Sequence, residues 1–441
     1  MNRLHMDQLI AWYRDPNRKP LILDGARQVG KTWLVKEFGR VAFSKTAYIN
    51  LMDNERMASL FASDISPQRL IPALSIESGV AIDASDTLII LDEVQEVPRA
   101  LTSLKFFCES APEYAVIATG SSMGVTLHRG TSYPVGKVQM HHLYPMTFCE
   151  FLEACGMDNL SQLVMTGDLE LMRVFHDQLV EQLRFYLLVG GMPEIVQSYV
   201  ASLPGVDFGT LRKKQLQILE DYRSDFSKHE EDMPRGLVVR LNQVWSSLPS
   251  QLARENKKFL YNAVRSGGRG RDFELAIEWL KDCSLVHKVT KVNPPLYPLA
   301  FHEDFDQFKL FVSDVGLLSA ALGVDVRAAL DGDRLFGEAQ GCLAEQYVCQ
   351  QLAAMGVACH YWQADNSNAE LDFVIQHAGL ALPVEVKSGV NLRARSLKSC
   401  INRFGFDHAL RFSAAHPGVD GAIRDIPLYA IEARHAWLPG R

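Results

Sequence analysis

The decisive stretch is Pro20-Leu21-Ile22-Leu23-Asp24-Gly25-Ala26-Arg27-Gln28-Val29-Gly30-Lys31-Thr32. Its first five residues read as a buried strand, and the run from Thr32 to Phe38 reads as a helix. Between them, residues 25–32 satisfy the spacing G-x-x-x-x-G-K-[ST]. Each residue type there has a physical task. The glycines let the main chain curl until its N–H groups point inward at an anion. The following helix aims its positive end at the same place. Lys31 can reach β- and γ-phosphates, and the Thr32 hydroxyl can ligate Mg²⁺. The spacing therefore assigns nucleotide contact to Gly25, Ala26, Arg27, Gln28, Val29, Gly30, Lys31 and Thr32.

Working outward, residues 4–14 have helical spacing, Ala47-Tyr48-Ile49-Asn50-Leu51 is a second strand, Thr87 to Leu91 a third and Tyr114 to Thr119 a fourth. Strands separated by helix-length connections imply βαβ units and a mainly parallel sheet. The third strand runs into Asp92-Glu93. Asp92 is expected to hold Mg²⁺, through water, and Glu93 to orient and polarise the attacking water. After the fourth strand comes Ala118-Thr119-Gly120-Ser121-Ser122. Ser121 is assigned there to the γ-phosphate or the lytic water. No Asn-Lys-x-Asp guanine reader is present, because Asn256-Lys257-Lys258-Phe259 lacks the aspartate. ATP is therefore favoured over GTP, and the adjacent Asp-Glu pair favours hydrolysis over small-molecule phosphorylation. Arg129 and Arg184 are candidates for an arginine that completes the site from a neighbouring subunit of a homo-oligomer.

Beyond Tyr144-Pro145 the strand pattern stops. Residues 147–200 read as helical, broken at Gly190-Gly191-Met192-Pro193. Residues 206–290 continue mostly helical and carry Arg254, Lys257, Lys258, Arg265, Arg269 and Arg271. These cations are candidates for the phosphate backbone of DNA, with Arg269 and Arg271 beside Gly270 as a wing tip. A solvated charged loop is the competing reading. Helix, turn, helix and the strand Ser284 to Val289 fit a winged-helix-like module. From about residue 336 the order is helix, three strands and helix: Gly341 to Met355, His360-Tyr361-Trp362, Glu370 to Ile375, Pro383 to Lys387, and Ser396 to Phe404.

Within those strands Asp372 and Glu385 stand 13 positions apart, with Lys387 two further on. Alternation sends Glu385 and Lys387 to one face. Two carboxylates at close range repel unless a cation joins them. Hard oxygen ligands suit Mg²⁺, with Mn²⁺ as a second candidate at this C-terminal site. Glu345 on the preceding helix adds a third metal-ligating carboxylate to Asp372 and Glu385. Lys387 would position water or stabilise phosphate charge. The competing reading is a structural ion cluster without metal.

Composition agrees with a globular chain. Of 441 residues, 47% are apolar and 22% charged, and the net charge of −7 excludes a generally basic nucleic-acid coat. No apolar run approaches the roughly 18–20 residues of a bilayer span. Met1-Asn2-Arg3-Leu4-His5-Met6-Asp7 has no apolar signal core. The 8 cysteines contain no Cys-x-x-Cys pair and are expected to be reduced thiols, so the expected compartment is the cytoplasm.

Together the segments GARQVGKT (25–32), LIILDEVQ (88–95), ATGSS (118–122), LYPMTFCEFL (143–152), GGMPE (190–194), DFELAIEWLKDCSLVHKV (272–289), FKLFVSDVGLL (308–318), GCLAEQYVCQQL (341–352), YW (361–362), AELDFVI (369–375) and PVEVKSG (383–389) resemble a prokaryotic family of predicted AAA-type ATPases. Its members carry a C-terminal restriction-endonuclease-like, PD-(D/E)xK-type domain. The resemblance implies an α/β P-loop NTPase core over 1–145, a helical lid over 146–205, and a winged-helix-like domain over 206–300. It places a linker and nuclease-like αβββα domain over 301–441. It implies phosphate-binding, Mg²⁺-binding and water-activating roles for Lys31, Thr32, Asp92 and Glu93. It implies nuclease-like roles for Glu345, Asp372, Glu385 and Lys387. Family members often have Gly-Arg before the LYPMTF-like segment, where this chain has Gly136-Lys137. Lysine keeps the charge and loses the planar fork. The expected function is an ATPase whose nucleotide state controls a DNA-binding or DNA-cleaving module. The rivals are an ATP-driven switch with a catalytically silent C-terminal fold and a transposition- or defence-associated DNA-remodelling ATPase.

Overall fold

A computed structural model describes residues 3–121, 134–228, 233–254, 257–326, 340–364 and 369–438. The chain divides into two compact units, one comprising Asn2–Tyr144 with Asp282–Ser284, the other Pro145–Lys281 with Leu285–Arg441.

The first unit is built on five strands: β1 (Leu21–Asp24), β2 (Lys45–Asn50), β3 (Thr87–Asp92), β4 (Ala115–Thr119) and β5 (Gln139–His142). Their order is β2-β3-β4-β1-β5, and every pairing is parallel. All six residues of β3 and all five of β4 are buried, as expected of central strands covered on both faces. One face packs Ile22, Ile49, Ile89, Leu91 and Val116 against Met57, Leu70 and Leu104 from the intervening helices. The helix Lys31–Ala42 buries Leu34, Val35 and Phe38 along one stripe. β5 carries no strand signal in the sequence. Its residues Gln139-Met140-His141-His142 form no apolar run, and it lies at the sheet edge, paired with β1 alone.

The second unit begins with helices, including Phe148–Ala154, His176–Val189, Phe208–Lys228, Leu237–Leu252 and Gly270–Asp282. An eight-stranded sheet follows, formed by β6 (Val286–Val292), β7 (Glu303–Val312), β8 (Cys359–Gln363), β9 (Glu370–His377), β10 (Leu380–Val386), β11 (Ala409–Ser413), β12 (Gly418–Asp420) and β13 (Ile423–Pro427). The order is β12-β13-β11-β10-β9-β8-β6-β7. β9 and β10 form a hairpin closed by Ala378-Gly379, both at positive φ (47° and 83°), the requirement of a two-residue type I′ turn. β10 and β11 run parallel, and the helix Arg395–Phe404 lies between them in the chain. The helix Gln340–Ala354 precedes β8.

One expectation changes. The Gly267–Arg271 stretch is not a wing tip: Gly270 opens the helix Gly270–Asp282, and Arg271 lies in its first turn. The antiparallel hairpin is β6–β7 instead, and β6 also pairs in parallel with β8. The helical segment therefore flows into the C-terminal sheet.

Candidate functional site

In the first unit the loop 25–30 leaves β1 and enters the helix Lys31–Ala42. Gly25 has φ 146°, and a Cβ there would strike the Leu143 carbonyl, so only glycine allows the approach. Gly30 takes the left-handed conformation at the helix N-cap, and no side chain caps that helix. Its first-turn N–H groups are thus left to an anion. Lys31 Nζ donates to the carbonyls of Gly25 (3.0 Å) and Ala26 (2.8 Å). Burial lowers its pKa to about 8, against the opposing pull of Glu93, Asp24 and Asp92. Those two carbonyls are weak partners for a buried ammonium, and a phosphate would be a far stronger one.

Asp92, at the end of β3, is the hub. Thr32 Oγ1 (3.0 Å) and Tyr48 Oη (2.7 Å) both donate to its Oδ2, and Thr119 Oγ1 donates to its Oδ1. Threonine hydroxyl and aspartate thus meet where a Mg²⁺ would need them, and the donor set is the hard-oxygen kind that ion prefers. Glu93 adopts φ 55°, unusual for a side-chain-bearing residue, and accepts from Gln95 Nε2 at 2.5 Å. Behind the loop, buried Arg3 donates to the Val29 carbonyl (2.9 Å) and the Tyr144 carbonyl (2.7 Å), and His142 Nδ1 lies 2.8 Å from Asp24 Oδ1.

The sequence points to Ser121 at the end of β4. It is buried just beyond that strand, while Thr119 two residues earlier reaches Asp92. Tyr48, Gln95, Thr119 and Arg3 stand out in the structure but not in the sequence. Thr119 alone has a signal there, as a polar residue closing an apolar strand beside the acidic one. Arg129 lies outside the described residues. Lys137 Nζ pairs with Glu109 Oε1 at 2.9 Å.

The second unit holds the other constellation. The β9–β10 register pairs Phe373 with Val384, so its next step brings Asp372 beside Glu385. Asp372 Oδ2 accepts from the Val386 N–H at 2.7 Å, and Lys387 Nζ lies 2.5 Å from Glu385 Oε1. Glu345 joins them from the helix Gln340–Ala354. Burial, reinforced by the charges of Glu345 and Glu385, holds Asp372 well above the usual carboxylate range, and burial also raises Glu385. Two lysines that sequence patterns do not assign to this site complete the cluster. Lys257 Nζ donates to Glu345 Oε1 at 2.7 Å. Lys309 Nζ lies 2.5 Å from Glu370 Oε1 and 4.0 Å from Glu345 Oε2, with the Tyr361 ring beneath it. Burial works to lower both ammonium groups, but the surrounding carboxylates leave them raised.

A metal fits this cluster poorly. Glu345 Oε2 and Glu385 Oε2 are buried without hydrogen-bond partners, but among the described residues no three His, Cys, Asp or Glu side chains are disposed to hold a metal ion. The cations at these carboxylates are lysines. This also corrects the assignment of Lys257 to an exposed basic stretch. Its side chain is 8% exposed and paired with Glu345, whereas Arg254, Arg265, Arg269 and Arg271 are exposed. Lys258 is half-buried and donates to Gln307 Oε1 at 2.8 Å.

A curled glycine loop at a helix start, with a lysine, a threonine and an acidic strand end converging on it, defines a P-loop nucleotide-binding domain. Residues 17–152 match the family model described as an AAA domain, and this part of the chain is an AAA-type ATPase domain. Residues 180–328 and 340–414 match models described as domains of unknown function, DUF8612 and DUF4143. No curated protein matches the chain. Among solved structures, the chain is similar to the Walker-type ATPase of Pyrococcus abyssi, with 16% identity, 72% of this chain and 94% of that one covered, and a TM-score of 0.43. It is also similar to the Aeropyrum pernix Orc1 protein in complex with DNA (12% identity, 74% and 94% covered, TM-score 0.30). A third is Cdc6p from Pyrobaculum aerophilum (12%, 72% and 92%, TM-score 0.24). Among the described residues no helix is long and apolar enough to cross a membrane.

Proposed function

We propose that the chain hydrolyses ATP with Mg²⁺ and that its nucleotide state controls the C-terminal module. The observation that carries the first half is the meeting of Thr32, Asp92 and Glu93 beside the loop that holds Lys31. Lys31 would exchange its two carbonyl partners for the β- and γ-phosphates. Glu93 would orient the attacking water and accept its proton. Mg²⁺, held by Thr32 and by Asp92 through water, would neutralise phosphate charge. Ser121 keeps its proposed place near the γ-phosphate. The proposed organisation remains an ATPase core over 1–145, a lid over 146–205, a winged-helix-like part over 206–300 and a linker with a nuclease-like module over 301–441. DNA is the proposed partner of the module, contacted through Arg254, Lys258, Arg265, Arg269 and Arg271.

The direct test is phosphate release by the wild type, Lys31→Ala and Glu93→Gln. Loss of turnover in both variants is expected, and unchanged turnover in both would remove the site. Duplex DNA added to the same assay tests the partner: stimulated release supports it.

A second reading is an ATP-driven switch whose nuclease-like module is catalytically silent. It is favoured by the lysines that neutralise Glu345 and Glu370. Plasmid incubated with the wild type and with Asp372→Ala separates the two. Cleavage lost in the variant supports the nuclease, and no cleavage by either supports the switch.

A further inference from the structure

Lys257 reaches the carboxylate cluster from outside the helix and strands that carry its acidic members. Residues 257–259 run along β7: Lys258 bridges to Lys309 in antiparallel fashion, and the Phe259 N–H donates to the Phe308 carbonyl at 2.8 Å. The Phe259 ring stacks on Phe308 with centroids 5.4 Å apart, and Lys258 Nζ is tied to Gln307. The short segment therefore adds itself to the edge of the eight-stranded sheet, since β7 is its terminal strand. Its first residue projects an ammonium onto Glu345, and both side chains are only 8% exposed. On the far side of Glu345, Oε2 has no hydrogen bond, and neither has Glu385 Oε2.

We propose that Lys257 is a tethered counter-cation, occupying at Glu345 the place a divalent metal would need and keeping the Glu345–Asp372–Glu385 cluster metal-free. Coulomb's law supports the exchange. Without Lys257, the buried Glu345 carboxylate keeps only Lys309, at 4.0 Å and shared with Glu370, and carries the penalty of an under-compensated buried charge. Here the loss would leave Glu345 facing Asp372 and Glu385, whose charges already oppose one another. A hard divalent cation from solvent, with carboxylate oxygens free on Glu345 and Glu385, relieves that repulsion. Lys309 does not substitute for Lys257, because its close partner is Glu370 and its distance to Glu345 is 4.0 Å.

The inference rests on reading the C-terminal module as nuclease-like. Its test reads metal uptake by nucleotide-free full-length protein rather than cleavage, so the outcome is decided separately from whether the module cuts DNA and from whether the chain hydrolyses ATP. Metal-stripped wild type, Lys257→Met and Lys257→Met/Asp372→Asn are titrated with Mn²⁺, and free Mn²⁺ is followed by electron paramagnetic resonance. Wild type should take up none in the micromolar range. Lys257→Met should bind one Mn²⁺ at least about a hundredfold more tightly than wild type, in line with that buried-charge penalty, and the double variant should lose it. Lys257→Gln, which keeps a donor to Glu345 without the charge, replaces the methionine variant should that one not fold. Stoichiometric Mn²⁺ uptake by wild type that Asp372→Asn abolishes would overturn the proposal. So would a folded Lys257→Met or Lys257→Gln protein that gains no site.

Discussion

Gln95 and Glu93 are joined side chain to side chain, amide Nε2 to carboxylate Oε2, at 2.5 Å. The bond spans one residue because Glu93 sits in the left-handed region at φ 55° and the chain then turns through the short 3₁₀ segment Val94–Glu96. Gln95 is 5% exposed, so its amide is fixed by its surroundings. In the proposed role of base, Glu93 would thereby be aimed before nucleotide arrives, and a pre-oriented base loses little freedom in the transition state. Gln95→Ala should leave ATP affinity unchanged and lower kcat by about tenfold, a fraction of the 10²–10⁴ a general base supplies. Steady-state phosphate release with a parallel ATP titration checks both numbers. A larger KM at unchanged kcat would mean that Gln95 serves binding alone.

With Lys31 on the phosphates as proposed, ATP affinity should depend on pH. Without nucleotide its ammonium has a pKa of about 8, lowered first by burial. Phosphate favours the charged form, so the bound pKa lies higher and binding takes up a proton above pH 8. Affinity should be flat below about pH 8 and weaken as pH rises past it. Calorimetric titrations from pH 7 to pH 9.5 test this. In buffers of different ionisation enthalpy, the apparent enthalpy should report proton uptake only at the alkaline end.

The parts of this architecture legible in the sequence are those set by local patterns. Residues 88–91 can be read as a central strand because burial on both faces demands an unbroken apolar run. The loop 25–32 can be read because close backbone approach and positive φ demand glycine. β7 escapes such reading because its first half, Glu303-Asp304-Phe305-Asp306-Gln307, is largely polar and partly exposed. Lys257 misleads for a related reason. Among Arg254, Lys258 and Arg265 it has the local look of a solvated cation. Its partner Glu345 lies 88 residues away in the chain, and only the tertiary fold brings them together. Tyr48 and Thr119 are likewise recruited to Asp92 by strand order, since β2 and β4 flank β3.

Gly190 should tolerate no side chain. It has φ 77° and ψ −169°, a region essentially confined to glycine, and a Cβ there would meet Asp314 Oδ1. Asp314 is fully buried and accepts from the N–H groups of Gly191 (2.6 Å) and Leu317 (2.9 Å). It thus caps the helix Val315–Ala321 and pins the Gly190-Gly191 turn at once. Gly190→Ala should cost about 3 kcal/mol from backbone strain and overlap together. The readout is a lower urea midpoint at unchanged slope. Gly79→Ala, also at positive φ but with open space where the Cβ would go, is the control, and about 1–2 kcal/mol is expected of it.

Glu432 gives the second unit a pH-dependent contribution to stability that one substitution isolates. Its buried carboxylate accepts from the Cys149 N–H at 2.8 Å, at the start of the helix Phe148–Ala154. Burial raises its pKa from 4.5 to about 7. The sign follows from proton counting: between those values the native state keeps a proton that the unfolded chain has lost. The stabilisation is therefore complete below pH 4.5 and disappears as pH rises through 7, about 3 kcal/mol in all. Asp314, raised from 3.8 to about 6, adds a loss of the same sign that ends earlier. Asp372 and Glu385, also raised, add to the fall, while His5, His141, His176 and His360, lowered by burial from 6.5, contribute a change of opposite sign near the same pH. Glu432's share is therefore read as the difference between wild type and a variant. Glu432→Gln keeps one acceptor oxygen for Cys149 and cannot titrate. In urea unfolding, the stability of wild type relative to that of Glu432→Gln should fall as pH rises from 6 to 7. A wild-type-minus-variant difference that stays flat between pH 6 and pH 7 would show that Glu432 is ionised in the native state, held by the helix N-terminus against the effect of burial.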